Sequence, residues 1–494
     1  MTTIRINIEK WFGSLARVIY HNRLKILFIM FVIIAAIVSQ LPKLTIDIST
    51  EGFMHKSDPA RVDYDAFRDQ FGRDELIVIA IRSQEVFEAK FLKKLKKLHE
   101  DLFENVPYIE DITSLINARN TRGEKDELIV EDLLENWPET TEEIKLIKLR
   151  TLENPLYRNL LISEDSKMTT IVIQTQTYSS AGTDSDALDG FEDDAKNINT
   201  TDDKQYLTDK ENSEVVAAVN KVANKYKSPD FEIYIAGSAA VTHFLKRSMM
   251  KDVRRFLLLA FITVGAFLFI MFRRITGVVL PLLIVILSLI STISLMAAFK
   301  APIKLPTQIL PSFMLAVSVG YSVHILSMFY HNFRKSRSRE EAIVYSMGHS
   351  GLAVVMTAAT TAGGLFSFST SEVAPIADVG IFAGAGVLLA MVYTIILLPA
   401  LLAVMPVKII KNKKDQSEDT AEDTAEDTAI DRFLAKIGRI STGHPYKILI
   451  ISAVIIAFSI AGIMKIRFSH DVLKWLPKSN SVRVATEKID KELR

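Results

Sequence analysis

Seven apolar stretches, charged only at Lys25 and Asp378 and each near or above the ~20 residues needed to cross a ~30 Å hydrocarbon core, constrain this 494-residue chain more than any other feature. They run from Leu24 to Leu41, Phe256 to Phe272, Ile275 to Phe299, Ile309 to Tyr330, Gly351 to Phe368, Pro375 to Met405 and Ile448 to Met464. The remainder is rich in charge: 24% of all residues are Asp, Glu, Lys or Arg, so part of the chain must face water. The near-neutral total of +1 is a cancellation, because residues 42–250 hold 27 basic and 40 acidic side chains. That balance excludes a basic nucleic-acid binder and a disordered polyanion. With no cysteine, neither disulfides nor a thiolate metal site is available.

Lys and Arg placement in the short loops gives an orientation. Arg5, Lys10, Arg17, Arg23 and Lys25 precede the first stretch; Arg273 and Arg274, then Arg334, Lys335, Arg337 and Arg339, then Lys408, Lys411, Lys413 and Lys414 follow at every second loop. All fall on one side if the N-terminus is cytoplasmic, which puts the acidic block 42–250 and the C-terminus outside. The first stretch resembles a signal peptide, but Gln40-Leu41-Pro42-Lys43 offers no small-x-small cleavage site, so it reads as a retained anchor.

A shift of 422 residues superimposes the start of the chain on its end without a gap. Ile8-Glu9-Lys10-Trp11-Phe12 meets Ile430-Asp431-Arg432-Phe433-Leu434, and Lys25-Ile26-Leu27 meets Lys447-Ile448-Leu449. Past the membrane edge, Phe53-Met54-His55-Lys56-Ser57-Asp58 meets Trp475-Leu476-Pro477-Lys478-Ser479-Asn480, and Phe67 and Phe71 meet Ile489 and Leu493. Chance likeness between two apolar spans would not extend past the lipid at unchanged spacing. In each copy an amphipathic helix leads into the span, with Ile8, Trp11, Phe12, Leu15 and Val18 as the apolar set in the first; such a helix is expected to lie along the inner membrane surface.

Between spans one and two, Glu75–Arg82, Phe87–Phe103 and Tyr108–Leu115 read as strand, helix and strand, and the pattern recurs at Met168–Thr177, Val215–Val222 and Phe231–Ile235. Two such units predict a split βαβ, ferredoxin-like layer. Residues 119–163 are expected to form a helical insertion and 179–212 a polar, acidic loop. Three tandem Glu-Asp-Thr-Ala units from Glu418 to Ala429 read as a disordered linker.

One span, a large outer domain, five more spans and the same order again resemble the resistance-nodulation-division (RND) superfamily of transporters, above all its MMPL-type and hopanoid-exporter-like members. The likeness is carried by Thr360-Thr361-Ala362-Gly363-Gly364-Leu365-Phe366, by Pro375-Ile376-Ala377-Asp378-Val379-Gly380-Ile381-Phe382, by Leu398-Pro399-Ala400-Leu401-Leu402, by Phe71-Gly72 and by Leu161-Ile162-Ser163-Glu164-Asp165. The expected class is a polytopic α-helical membrane protein with an extracytoplasmic α/β, porter-type domain and a truncated second repeat. Its parts would be an amphipathic helix (1–23), span one (24–41), the outer domain (42–250), five spans forming a sterol-sensing-like bundle (254–405), the linker (406–429), a second amphipathic helix (430–446), span seven (447–464) and the opening of a second outer domain (465–494).

The resemblance implies a proton-driven exporter of a hydrophobic or amphiphilic molecule such as a lipid, in a bacterial-type inner membrane. Membrane lipids, a missing C-terminal half or second copy, and periplasmic carrier proteins would be its partners. It also implies an Asp-Tyr relay in span four, where Ser318-Val319-Gly320-Tyr321-Ser322-Val323-His324 keeps the tyrosine but has Gly320 in place of the carboxylate. Tyr321 and His324, three residues apart, would share a helix face with His324 about 9 Å from the inner end. Asp378 is a further coupling candidate, expected to stay hydrated near the outer end of span six. Gly363, Gly364, Gly380 and Gly384 would permit close helix packing. No phosphate-cradling loop, His-Glu-x-x-His or Gly-x-Ser-x-Gly is present, so the expectation is no enzyme, no cofactor, no metal and no nucleic acid. A non-pumping, sterol-sensing-like receptor and a half inactive by itself are the alternatives.

Overall fold

The computed structural model describes residues 2–47, 49, 51–71, 76–124, 127–179, 207–405, 429–466 and 472–493. The chain forms two units, Met1–Val407 together with Lys478–Arg494, and Lys408–Pro477. Seven of the described helices are long and apolar enough to cross a membrane, and a small α/β domain stands between the first and second, so the class expected from the sequence is found. The Glu-Asp-Thr-Ala linker and most of the 179–212 loop lie outside the described residues.

In the first unit, α1 (Thr2–His21) turns at Asn22 into the spanning helix α2 (Arg23–Val38). The outer domain then contributes α3 (Pro59–Phe71), β1 (Leu76–Arg82), α4 (Ala89–Asn105), β2 (Ile109–Thr113), a hairpin of β3 (Arg119–Glu124) and β4 (Glu127–Asp132), α5 (Thr141–Glu153), β5 (Met168–Thr175), α6 (Asp209–Tyr226) and β6 (Glu232–Ala236). The main sheet has the order β2-β5-β1-β6, antiparallel at every pairing, which is the split βαβ arrangement. Alternation along β1 puts Ile77, Ile79 and Ile81 inside, against Phe91, Leu92, Leu95, Leu98 and Leu102 of α4 and Val215, Val219 and Val222 of α6. Each such side chain contributes about 1.5–3 kcal/mol on burial, enough to hold a four-stranded layer. The insertion is corrected in part: a hairpin precedes its helix. Leu133 and Leu134, read from sequence as helical, instead leave β4 and join the sheet core, and the Leu133 amide donates to Ala118 O at 2.8 Å.

β6 ends at Gly237, whose φ of +105° and position against Leu76 O exclude a side chain. From there α7 (Ser238–Phe272) runs 35 residues without interruption into the membrane, so the boundary expected near residue 250 falls inside one helix. α8 (Thr276–Ala298), α9 (Ile309–Ser336), α10 (Arg339–Phe366), α11 (Ala374–Val392) and α12 (Leu398–Val404) complete the bundle. A π-helical turn, Tyr393–Leu397, joins the last two just before Pro399, which has no amide hydrogen to continue the ladder. Helix α1 docks along α10, burying Phe12, Ala16 and Ile19, while Trp11 and Val18 stay exposed. The expected apolar set is therefore split: Phe12 packs on Gly351, and the Trp11 side is left for the membrane interface.

The second unit holds α13 (Ala429–Gly443), α14 (Pro445–Ile463) and the short α15 (Val472–Trp475). Its helices break at the same repeat position as α1 and α2, His444 standing where Asn22 does. The chain then returns to the first unit as α16 (Ser481–Glu492).

Candidate functional site

The interior of the bundle is lined by hydroxyls. Ser288, Ser291 and Thr292 on α8, Ser318, Tyr321 and Ser322 on α9, and Tyr393 and Thr394 in the π-helical turn are all buried. Ser291 Oγ lies 2.8 Å from the Tyr393 hydroxyl, Ser288 Oγ 3.4 Å from Ser318 Oγ, and Thr292 Oγ1 donates to Ser288 O at 2.7 Å. Three of these groups, the Tyr321 hydroxyl, Ser322 Oγ and Thr394 Oγ1, have no hydrogen-bond partner among the described residues. Thr361 on α10 is the polar neighbour of Tyr321, outside hydrogen-bond geometry. An unpartnered buried hydroxyl costs about 1–3 kcal/mol. Only Tyr321 of this set was singled out from the sequence; scattered Ser and Thr in apolar helices carry no local signal, because most bond back to their own helix.

The other sequence candidates fall elsewhere. His324 is exposed although Tyr321, three positions earlier, is buried, so the expected common face is not formed. The step of three residues leaves ~60° between them, and the edge of the buried face passes through that gap. α9 also continues past Tyr330 to Ser336, placing His324 near its middle, about 18 Å from the inner end. Gly320 lies one turn before His324, on the outward side, and a Cβ there would meet nothing within 4 Å.

Asp378 is not free in water as expected. Its Oδ2 lies 2.9 Å from Lys304 Nζ, with the two side chains only 22% and 11% exposed. The pair ties α11 to the loop between α8 and α9, which is also held by Ile46 through Asp47 N to Ile303 O and Ile303 N to Thr45 O, each 2.9 Å. Asp378 is therefore a clamp at the outer end of the bundle.

The glycines divide. A Cβ on Gly380 would lie 2.7 Å from Leu365 O, and one on Gly384 2.8 Å from the Phe366 ring, so these two glycines let α11 come close to the end of α10. Gly363 and Gly364 have nothing within 4 Å, which corrects their expected packing role. They belong instead to an outward strip in which Thr357, Thr360, Gly363 and Gly364 of α10 are exposed, and α9 adds Ser312, Ala316, His324 and Ser327. Polar and small residues on an outward membrane face are unusual, since lipid offers them no hydrogen bonds.

Near the outer end, Val253, Phe256 and Leu257 of α7 and Ile309 and Ser312 of α9 line a cleft of about 250 Å³. Its lining is mostly apolar, with Gln308 and Ser312 as the polar members. Among the described residues, no group of three His, Asp or Glu is placed to hold a metal ion.

A six-span bundle carrying an α/β domain after its first span, with buried hydroxyls inside, defines a multi-pass membrane protein. Residues 204–448 match the MMPL family model, which supports a membrane transporter of the MMPL/RND type. It is similar to a protein of Methanocaldococcus jannaschii named as a membrane protein, MJ1562, at 23% identity over 343 residues, covering 68% of this chain and 79% of that one.

Proposed function

We propose that the protein exports a hydrophobic or amphiphilic molecule, such as a lipid, from the membrane through its outer domain, driven by a proton gradient. The observation that carries this reading is the largely apolar cleft between α7 and α9, on the helix that continues directly from the outer domain. Its apolar residues would hold part of an acyl chain, and Gln308 and Ser312 would offer polar groups to the rest of the molecule. Tyr321 and the hydroxyls of α8, α9 and the π-helical turn are the proposed internal proton path. The proposed setting is a bacterial-type cytoplasmic membrane, with the N-terminus inside and residues 42–250 outside. The outward strip on α9 and α10 is the proposed contact for a second six-span unit, whether another half or another copy, and His324 would then sit at that contact. Carrier proteins receiving the cargo are proposed partners, and no chemical conversion of the cargo is needed.

One observation favours a second reading, a lipid-binding receptor that does not pump: the buried positions in the spans include Ser, Thr and Tyr but no Asp or Glu. Purified protein in liposomes separates the two. Exporter activity predicts lipid-dependent proton flux that falls when Phe256→Ser disrupts the cleft. Lipid binding without flux would establish the receptor and reject the exporter.

A further inference from the structure

The cleft between α7 and α9 is approached by charge that its own lining does not contain. Five of the six charged residues from 246 to 255 are cations, and Asp252 is the single acid. Arg247, Lys251, Arg254 and Arg255 recur at steps of four, three and one, so they share one face of α7. All four are exposed, and none makes an ion pair among the described residues. Arg254 and Arg255 interleave with the cleft residues Val253, Phe256 and Leu257, so the cationic face begins beside the cleft. At ~1.5 Å per residue, Lys251 and Arg247 stand about 6 and 12 Å beyond Arg255, on the way to the α/β sheet. With the apolar run beginning at Phe256, a headgroup layer of roughly 5–7 Å takes in Arg255, Arg254 and Lys251, and Arg247 stands above it.

Cations at the end of a span often do no more than anchor it, with aliphatic stems in lipid and charged heads in the headgroup layer. Anchoring of that kind would recur at the other spans of the unit on the same side, and it does not. α2 is followed by Lys43, the α8–α9 loop holds Lys300 and the paired Lys304, and the α10–α11 loop holds Glu372. Nor does the outer domain supply the charge, since residues 42–250 carry 40 acidic side chains against 27 basic. The positive charge is concentrated on the helix that walls the cleft. Its arginines present planar forks that match a phosphate or carboxylate with two hydrogen bonds at a time. Val253, Phe256, Leu257 and Ile309 supply the apolar counterpart.

We propose that the cleft takes an anionic membrane lipid, with part of an acyl chain against Val253, Phe256 and Leu257 and the headgroup phosphate on Arg254 and Arg255. Lys251 and Arg247 are the next holds along α7, one and two turns closer to the α/β domain. A zwitterionic headgroup brings its own ammonium to each of these cations and gains far less from them. The assignment gives the molecule in the cleft its chemical class, and it rests on the export reading only in making that lipid the cargo.

The test uses the full-length protein with Trp11 and Trp475 replaced by Phe and with Phe256→Trp as reporter, in nanodiscs of phosphatidylcholine. Trp137, packed against the outer-domain core, remains as a constant background. Dibrominated phosphatidylglycerol and dibrominated phosphatidylcholine, titrated in turn, quench the reporter when they occupy the cleft. The expected result is occupancy by the anionic lipid at least tenfold above the zwitterionic one, undiminished by millimolar inorganic phosphate against chloride of equal ionic strength. Changing Arg247, Lys251, Arg254 and Arg255 together to Gln should bring the preference within twofold while quenching by phosphatidylcholine stays the same. The pair Arg254→Gln and Arg255→Gln, less demanding of the fold, should lower it at least threefold. Phe458→Trp, on the exposed surface of α14, gives the baseline for lipid that merely surrounds the protein. Equal quenching by the two lipids, an equal preference at Phe458→Trp, a preference that survives both sets of Gln changes, or its loss to free phosphate overturns the proposal. Proton flux in liposomes is read separately. The preference without flux keeps the site and removes the export reading, whereas flux with equal quenching keeps the exporter and rejects the site.

Discussion

Lys304 and Asp378, 74 positions apart in sequence, close an ion pair of 2.9 Å at the outer end of the bundle, and both side chains are largely removed from water. Asp378→Asn leaves the ammonium without its countercharge and is expected to lower stability by about 1–3 kcal/mol. Lys304→Met combined with Asp378→Leu should recover most of the loss. Detergent-solubilised melting of the three variants checks this; a double variant as unstable as the single one would show that the clamp acts through other contacts.

Gly380 and Gly363 should respond in opposite ways to the same change. Gly380→Ala forces a methyl against Leu365 O and Phe368 and is expected to cost about 1–3 kcal/mol. Gly363→Ala meets open space and gains helix propensity, up to about 1 kcal/mol. Paired melting curves read the difference. A loss of oligomer with Gly363→Ala at unchanged melting would identify the outward strip as a contact between units.

Among the described residues the Tyr321 hydroxyl has no hydrogen-bond partner, so Tyr321→Phe is expected to keep or slightly raise stability. Proton flux in liposomes should nonetheless fall at least tenfold if the interior hydroxyls form the path. Flux unchanged in Tyr321→Phe would remove this residue from the mechanism.

His99 links the outer domain to pH. Its Nδ1 lies 3.0 Å from the Ser114 hydroxyl, and burial holds the imidazole below the usual histidine range. The unfolded chain therefore binds the proton more readily. The stability that His99 supplies is complete above the unfolded value of about 6.5 and is lost as pH falls through the folded value. Trp137, packed against the outer core, reports unfolding once Trp11 and Trp475 are replaced by Phe. His99→Gln should flatten the decline between pH 7 and 5, and an undiminished slope would assign it to other groups.

The spans and the outer sheet were legible because each obeys one strong period: long uncharged runs for the helices, and apolar β1 followed by the Phe91-Leu95-Leu98-Leu102 face of α4 for the sheet. The β3–β4 hairpin was missed because Arg119–Glu124 is wholly polar apart from its glycine and shows no alternation. Tyr321 was readable from its neighbours in α9, but the side His324 faces was not, since the edge of a buried face is set by the helices packed against it. The Lys304–Asp378 pair has no local signature at all. The hydroxyl interior was hidden for a related reason: Ser291 and Tyr393 become partners only when α8 and the π-helical turn are brought together.

Helix α7 leaves Gly237 at the sheet edge and continues for 35 residues, a rod of about 52 Å. It contains no proline to absorb bending. If the rod stays straight, a tilt of ~10° imposed at the sheet shifts its far tip by roughly 9 Å, about two turns of pitch by the geometry of the rod alone. The α/β domain therefore holds the handle of a crank, and the cleft beside Phe256 lies along its shaft.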